Sequence, residues 1–216
     1  MSIQIRGPRD GRPINSTTTV INTTSHAKEP WMLGLSPFHL GPVLLYGSRT
    51  AKIFESAWQF AKVYPEHLDP DGTVSARYWE WAVNGWASNY AQRYPMGKGA
   101  KPAFCLWNEA RLGYIDARLA VYMPLYRDAV AKTKAYQQLQ DIYRQNGDIT
   151  LFDFDGYDHD ASGKSLDEVM LDPSRPMGHA FILKMMLEIS EDVTPEMVIE
   201  HSKIYRQRVD EQATLF

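Results

Sequence analysis

Glu55-Ser-Ala-Trp58-Gln59-Phe-Ala-Lys62 is the most informative stretch of this chain. In a helix, residues spaced i, i+3, i+4 and i+7 share one face, so four of these side chains form a single stripe. The stripe consists of Glu55, Trp58, Gln59 and Lys62. A solvent-facing stripe seldom carries a Trp in its middle, because Trp is highly buried on average. Two interpretations stay open: a solvent face with a partly covered Trp, or the wall of a pocket.

The composition is typical of a globular protein with a substantial core. The chain has 216 residues, of which 44% are hydrophobic and 12% aromatic. A net charge of −3 argues against broad, non-specific nucleic-acid binding, although a local basic patch remains compatible with it. Cys105 is the only cysteine, which excludes an intramolecular disulfide and a cysteine-based metal cluster. The polar N-terminus lacks the apolar segment of a signal peptide, and no apolar run is long enough to span a bilayer. We therefore expect a cytoplasmic protein with no membrane partner.

The pattern along the chain predicts a predominantly helical α+β fold with a few short strands. Residues 1–17 are expected to form an extended N-terminal arm, and residues 18–216 a single domain. Helices are predicted over 50–63, 75–92, 106–130 with a break before Pro124, 132–144, 177–189 and 194–211, with a short capped helix after Ser165. Strands are predicted over 18–24, 43–46 and 149–154.

A second group of candidate residues follows the last predicted strand. Alternation along that strand places Asp153 and Asp155 on one face. Paired carboxylates are common in active sites, where neighbours shift each other's pKa values. A site for a hard cation and a plain acidic turn are the alternatives, and the spacing does not fit an EF-hand loop. The following residues, Asp158 to Asp160, are interpreted as a solvated loop.

A third group lies at the start of a predicted helix. Arg175, Gly178 and His179 fall where free backbone N–H groups favour anions such as phosphate. On its own, His179 is more typical of a structural histidine than of a catalyst. The chain contains no Gly-rich phosphate loop, no GxSxG elbow, no HExxH and no dinucleotide fingerprint. We therefore predict no cofactor.

Three segments, taken in order, resemble the NADAR family of YbiA-like N-glycosidases. Leu35-Ser36-Pro37-Phe38 is similar to that family's Phe-Ser-Asn-Phe, and the Glu55–Lys62 stretch to its Glu-His-x-Tyr-Gln-x-x-Lys helix. Met177 to Leu183 is similar to its Leu-Gly-x-x-Leu-Met helix. The resemblance covers roughly residues 36–188, and Arg118 falls where the family carries a basic residue. Pro37 and Ser56 replace the family's Asn and His, and residues 65–105, with their aromatic helix and basic loop, diverge from its compact members.

The resemblance implies a YbiA-like fold and cleavage of an N-glycosidic bond in a nucleotide, an ADP-ribosylated nucleobase or another modified nucleobase. A carboxylate stabilises the oxocarbenium character that develops at the sugar, or activates water. The implied catalytic residues are Glu55, then Asp155 and Asp153. Trp58 and Phe38 would stack on a ring. Lys62, Arg118 and Arg175 would hold phosphate or ribose oxygens. The remaining predicted substrate-binding residues are Ser36, Gln59, Gly156, Gly178 and His179.

Two other functions are consistent with the same sequence. One is a non-catalytic protein that binds a nucleotide or modified DNA on the same fold, suggested by the aromatic and basic residues between Tyr78 and Lys101. The other is an assembly protein whose aromatic side chains form an interface. The sequence leaves open the natural substrate, whether it lies within DNA, and the oligomeric state.

Overall fold

The computed structural model describes residues 2–10, 18–189, 192–198 and 200. Its strands are β1 (Ser2–Arg6), β2 (Thr19–Asn22), β3 (Val43–Leu44), β4 (Thr50–Ala51), β5 (Lys62–Val63), β6 (Phe104–Trp107), β7 (Ala110–Leu112) and β8 (Asp148–Phe152). Its helices are α1 (Phe54–Gln59), α2 (Ala76–Trp86), α3 (Tyr114–Ala117), α4 (Met123–Val130), α5 (Lys134–Asn146), α6 (Leu166–Leu171) and α7 (His179–Glu188). A π-helical turn, Arg118–Tyr122, joins α3 to α4.

A three-stranded parallel sheet places the candidate site. Its strand order is β1-β8-β2, and both outer strands run parallel to β8. Phe152 pairs with Arg6 on one side and with Asn22 on the other, so all three strands end at the same edge. The residues that follow the strands therefore come together at that edge. The β3-β4 pair and the β5-β6-β7 sheet are antiparallel.

The helices build outward from this parallel sheet. Helix α7 packs against β1 on one side and against α4 on the other, α4 contacts α1, and α1 contacts α2. Eight of the ten residues of α7 are buried. A helix that is apolar on nearly all sides is typical of the centre of a fold, which is the position α7 occupies. The core continues through Phe54, Tyr126 and Phe181, all fully buried.

The predicted class is confirmed at the level of a single α+β domain. Of the described residues, 42% are helical and 15% lie in strands. The predicted capping box is also present, since Ser165 and Glu168 exchange hydrogen bonds at the start of α6. No helix in the described ranges is both long and apolar enough to cross a membrane.

The prediction of an extended N-terminal arm is wrong for residues 2–6, because these residues belong to the domain. They form β1, and Ile3 and Ile5 are buried in the core. The alternation of polar and apolar residues from Ser2 to Arg6 is a strand pattern, but it is too short to stand out beside the Gly and Pro residues that follow. Residues 11–17 of the expected arm lie outside the described residues.

Several predicted helices differ in extent. The first spans only α1 and ends at Gln59, because the next residues pair with β6 as strand β5. The helix expected from residue 106 begins at Tyr114, because residues 104–112 form a hairpin whose turn residues, Asn108 and Glu109, have φ values of 45° and 69°. The expected break before Pro124 is the π-helical turn. Of the last predicted helix, residues 195–198 are helical, and residues 201–211 lie outside the described part.

Candidate functional site

A cavity of about 620 Å³ lies at the edge where the parallel strands end. This volume falls within the range of small-molecule sites. All but two of the predicted site residues line the cavity. They are Ser36, Phe38, Glu55, Trp58, Gln59, Lys62, Arg118, Asp153, Asp155, Gly178 and His179. The structure therefore brings together three groups of residues that are far apart in sequence.

The stripe on α1 forms one wall of this cavity. Glu55 and Gln59 are only 6% and 8% exposed, so the solvent-face interpretation is wrong. Gln59 Nε2 donates to Glu55 Oε1 at 2.8 Å. No described residue donates a hydrogen bond to the other carboxylate oxygen, Oε2. Burial raises the pKa of Glu55, against the smaller opposing effects of the Gln59 hydrogen bond and the Lys62 charge.

Lys62 completes the stripe although it lies on β5 rather than on the helix. Its ammonium donates to Gln59 Oε1 at 2.7 Å and lies 4.8 Å from the centre of the Trp58 ring. Burial lowers the pKa of Lys62 to about 8, and the negative charge of Glu55 opposes this shift. A continuous chain of hydrogen bonds thus runs from the Lys62 ammonium, with its lowered pKa, through the Gln59 amide to the buried Glu55 carboxyl group.

The Ser36–Phe38 loop is fixed to the start of α1. The Glu55 N–H donates to the Pro37 carbonyl at 3.0 Å, and the Phe38 N–H to Ser36 Oγ at 3.3 Å. The Tyr126 hydroxyl donates to the Leu35 carbonyl at 2.6 Å. These contacts hold Phe38 beside the α1 wall, so the first two motifs of the sequence form one surface.

Asp153 joins the end of β8 to the start of α7. Its Oδ2 accepts from the Ala180 N–H at 2.9 Å and lies 3.1 Å from His179 Nδ1, while Oδ1 accepts from the Asp155 N–H at 3.2 Å. A carboxylate at a helix N-terminus is stabilised by the helix dipole. Both oxygens are therefore engaged within the protein, and the carboxylate orients the start of α7 and the backbone of Asp155. A catalytic function for Asp153 stays a prediction.

His179 contacts Asp153 on one side of its ring and the Thr23 carbonyl on the other. Its Nε2 lies 2.9 Å from the Thr23 carbonyl oxygen, which can only accept, so Nε2 carries a proton. Its Nδ1 lies 3.1 Å from Asp153 Oδ2. Since both ring nitrogens are occupied, His179 ties β2, β8 and α7 together and leaves no ring nitrogen for a ligand.

Gly178 is needed where α7 meets Asp153. A Cβ at this position would lie 2.3 Å from Asp153 Oδ2, far inside contact distance. Residue 178 must therefore be glycine, because only a hydrogen atom fits beside the carboxylate.

Gly156 and Arg175 lie outside the cavity, which corrects both predictions. A Cβ on Gly156 would lie 2.5 Å from the Arg6 carbonyl oxygen, so this glycine permits close backbone packing at the sheet edge. The Arg175 guanidinium lies 3.8 Å from the centre of the Tyr157 ring.

The prediction that Arg118 binds phosphate is also corrected, because its guanidinium has a structural function. It is 2% exposed, and its guanidinium donates to four backbone carbonyls, those of Val169, Met170, Asp172 and Arg175. These bonds hold the segment between α6 and α7 against the π-helical turn. The sequence predicts that Arg118 lies in a helical segment, and it begins the π-helical turn. The sequence does not indicate where its guanidinium points.

Asp155 forms an ion pair across the cavity that sequence reasoning missed. Arg93 donates to its Oδ2 at 2.8 Å. Burial raises the pKa of Asp155, the Arg93 charge lowers it, and the Asp153 charge raises it. The Arg93 guanidinium also lies 5.2 Å from the centre of the Phe154 ring. The sequence showed a basic loop here but gave no signal that the loop reaches the end of β8.

Further lining residues escaped prediction because no local motif contains them. They include the basic residues Arg9, His26, Arg93 and Lys98 and the aromatic residues Tyr94, Tyr114, Tyr122 and Phe154. Together with Phe38 and Trp58, the aromatic residues give the cavity ring-stacking surfaces. The cavity thus combines buried carboxyl groups, several rings and several cations.

The aspartates between residues 153 and 160 have partners within the protein. Asp158 pairs with Arg6 at 3.1 Å, and each of the preceding aspartates has its own partner. His159 is buried, with its Nε2 2.9 Å from Lys184 Nζ, so the solvated-loop interpretation is wrong for this residue. Across the described ranges, no three His, Cys, Asp or Glu groups are placed to hold a metal ion.

The fold and the cavity define an α+β protein with a polar, aromatic-lined pocket at the end of a parallel sheet. The chain belongs to the family of unknown function DUF6939, whose model matches residues 12–183. The matched region includes all three motifs of the cavity. Comparison with curated proteins gives no match. Comparison with solved structures gives none either.

Proposed function

We propose that this protein hydrolyses the N-glycosidic bond of a phosphate-bearing ribonucleotide or of a modified nucleobase carrying such a group. The observation that carries the proposal is the environment of Glu55. This carboxyl group is buried in a cavity wall, one of its oxygens is fixed by Gln59, and no described residue donates to the other. Carboxyl groups in a cleft whose pKa values are raised by burial are typical candidates for catalytic acids and bases.

The chemistry of the bond fits this carboxyl group. As the C–N bond breaks, positive charge develops at C1 of the sugar, and a nearby carboxylate stabilises it. Water attacks C1, and Glu55 accepts the proton that the water loses. The departing nitrogen gains a proton, for which Lys62, with a pKa of about 8, is a donor on the same wall.

The rest of the cavity suits a nucleotide. Trp58, Phe38 and Phe154 provide faces on which a base can stack. Arg9, Arg93 and Lys98 provide cations for phosphate oxygens, in place of the predicted Arg118 and Arg175. This proposal agrees with the resemblance of the three motifs to the NADAR family of N-glycosidases.

A second candidate is a nucleotide-binding protein without turnover. The Arg93–Asp155 ion pair favours it, because a carboxylate held by a guanidinium is less available for proton transfer. The two candidates differ in whether a base is released.

The test is release of a free base from a panel of N-ribosyl compounds: NAD, AMP, GMP and ADP-ribosylated guanosine. Products are separated by reverse-phase chromatography. We expect one of these compounds to be cleaved, with Glu55→Gln lowering the rate by roughly 10²–10⁴-fold. Glu80→Gln, on the exposed face of α2, is the matched control and should retain the wild-type rate.

Three outcomes decide between the candidates. Unchanged cleavage by Glu55→Gln would remove Glu55 from the mechanism. Stabilisation by ADP-ribose in a thermal-shift assay, with no base released from any compound, would favour the binding protein. Absence of both cleavage and stabilisation would contradict both candidates.

A further inference from the structure

Tyr122 lines the cavity, close enough to Glu55 on α1 and to Asp153 and Asp155 after β8 to be affected by their charges. It is the last residue of the π-helical turn, an element often found at functional sites. Its ring packs edge-on against Phe54 at 5.2 Å and Trp58 at 5.1 Å, and parallel to Tyr126 at 6.4 Å between ring centres. Three aromatic neighbours thus hold the ring in one orientation. We call the part of the cavity lined by Tyr122, Asp153 and Gly178 the cavity floor.

The hydroxyl group of Tyr122 lacks a partner within the described residues. This distinguishes it from Tyr126, whose hydroxyl donates to the Leu35 carbonyl. Tyr122 is partly exposed, so its hydroxyl can donate to water in the cavity or to a ligand group that replaces the water. Because Tyr122 lines the cavity, the partner that suits this hydroxyl is a bound ligand.

The surroundings of this hydroxyl decide which ligand group fits. The pKa of Tyr122 is well above its usual value because of burial, with further increases from the charges of Glu55, Asp153 and Asp155. Tyr122 therefore remains a neutral donor. The nearby carboxylates are acceptors and would repel a phosphate. A hydroxyl group, which accepts one hydrogen bond and donates another, suits both neighbours.

We propose that Tyr122 donates a hydrogen bond to the 2-hydroxyl group of the bound ribosyl unit and thereby makes the site specific for ribosyl over 2-deoxyribosyl ligands. The choice of hydroxyl rests on the proposed function. If Glu55 acts at C1, the sugar hydroxyl nearest to the reacting carbon is the 2-hydroxyl. Hydrogen bonds to this group strengthen in glycosidase transition states. The sugar then lies on the floor, and the phosphate lies toward Arg9, Arg93 and Lys98.

The test compares two small probes, ribose 5-phosphate and 2-deoxyribose 5-phosphate, by isothermal titration calorimetry. We expect the wild-type protein to bind ribose 5-phosphate roughly 10-fold more tightly, the equivalent of about 1.4 kcal/mol. Tyr122→Phe should lose this preference while binding 2-deoxyribose 5-phosphate like the wild type. Tyr90→Phe, which removes a hydroxyl from a side chain that is 80% exposed and outside the cavity, should keep the wild-type preference.

The inference fails if Tyr122→Phe weakens the binding of both probes equally or leaves the binding of both unchanged. It also fails if the wild-type protein binds neither probe or binds both equally, a result that does not depend on how the variant folds. Base release, measured separately, distinguishes this failure from that of the proposed function. A Tyr122-dependent preference without base release would overturn hydrolysis alone, and base release without the preference would overturn only the Tyr122 assignment.

Discussion

Glu55 occupies an environment that disfavours its charged form. Water is largely excluded, a single amide bonds to one oxygen, and the nearby carboxyl group of Asp155 adds repulsion. The Lys62 ammonium forms its hydrogen bond with Gln59 and not with Glu55. A position that reduces stability in this way is typical of functional residues, whose replacement often stabilises a protein.

The first prediction concerns the pH dependence of stability. The pKa of Glu55 is raised in the folded state, so its contribution to stability is fully present below its ordinary pKa and is lost as the pH rises through the folded-state value. Glu55→Gln should therefore stabilise the protein at pH 8 and have little effect near pH 4. A gain of about 1 kcal/mol would raise Tm by roughly 2–4 °C. Calorimetry at both pH values measures this, and a lower Tm at pH 8 would contradict it.

At the residue scale, helical spacing found the α1 wall but not its partners across the cavity. Glu55, Trp58 and Gln59 share one face in any helix, so their grouping follows from the sequence. Arg93 and Tyr122 reach the cavity through contacts that depend on how loop and helix pack. Arg118 shows the converse, because its position on a helix did not reveal that four carbonyls surround its guanidinium.

At the scale of elements, the junction of β8 and α7 organises the cavity floor. The start of α7 approaches Asp153 so closely that residue 178 has no room for a side chain. The φ of Gly178 is −77°, which any residue adopts, so the requirement arises from contact and not from the backbone.

The second prediction follows from this contact. Gly178→Ala should destabilise the protein by about 1–3 kcal/mol, because the new methyl group must displace Asp153 or α7. Gly113→Ala is the control. Gly113 has a φ of −66°, and its nearest neighbour would be an Asp116 side-chain oxygen at 3.3 Å, so the cost should stay below about 1 kcal/mol. Chemical denaturation measures both variants, and equal stabilities would contradict the account of Gly178.

Long, periodic elements were easier to predict than short ones. Helix α5 and helix α7 were found nearly in full. The apolar residues of α5 recur with helical spacing, whereas α7 is a long run that is apolar on nearly all sides. Strands β4 and β5 have two residues each and carry no pattern of their own. They exist because neighbouring segments supply the hydrogen-bond partners, which no local window contains.

At the scale of the whole molecule, the cavity lies where parallel strands end, the usual place for ligands in open parallel sheets. Strand β1 helps to build this edge, and the sequence did not reveal it. Its five residues pair in parallel with β8, which lies 146 residues further along the chain, so only the assembled sheet shows that the N-terminal residues lie beside the site.

The most direct test of the account is a crystal structure of the wild-type protein soaked with ADP-ribose. We expect the terminal ribose on the cavity floor, within hydrogen-bond distance of Glu55 and Tyr122, and the diphosphate beside Arg9, Arg93 or Lys98. An empty cavity at a saturating concentration of ADP-ribose, or a diphosphate lying on the floor against Asp153 and Asp155, would contradict it.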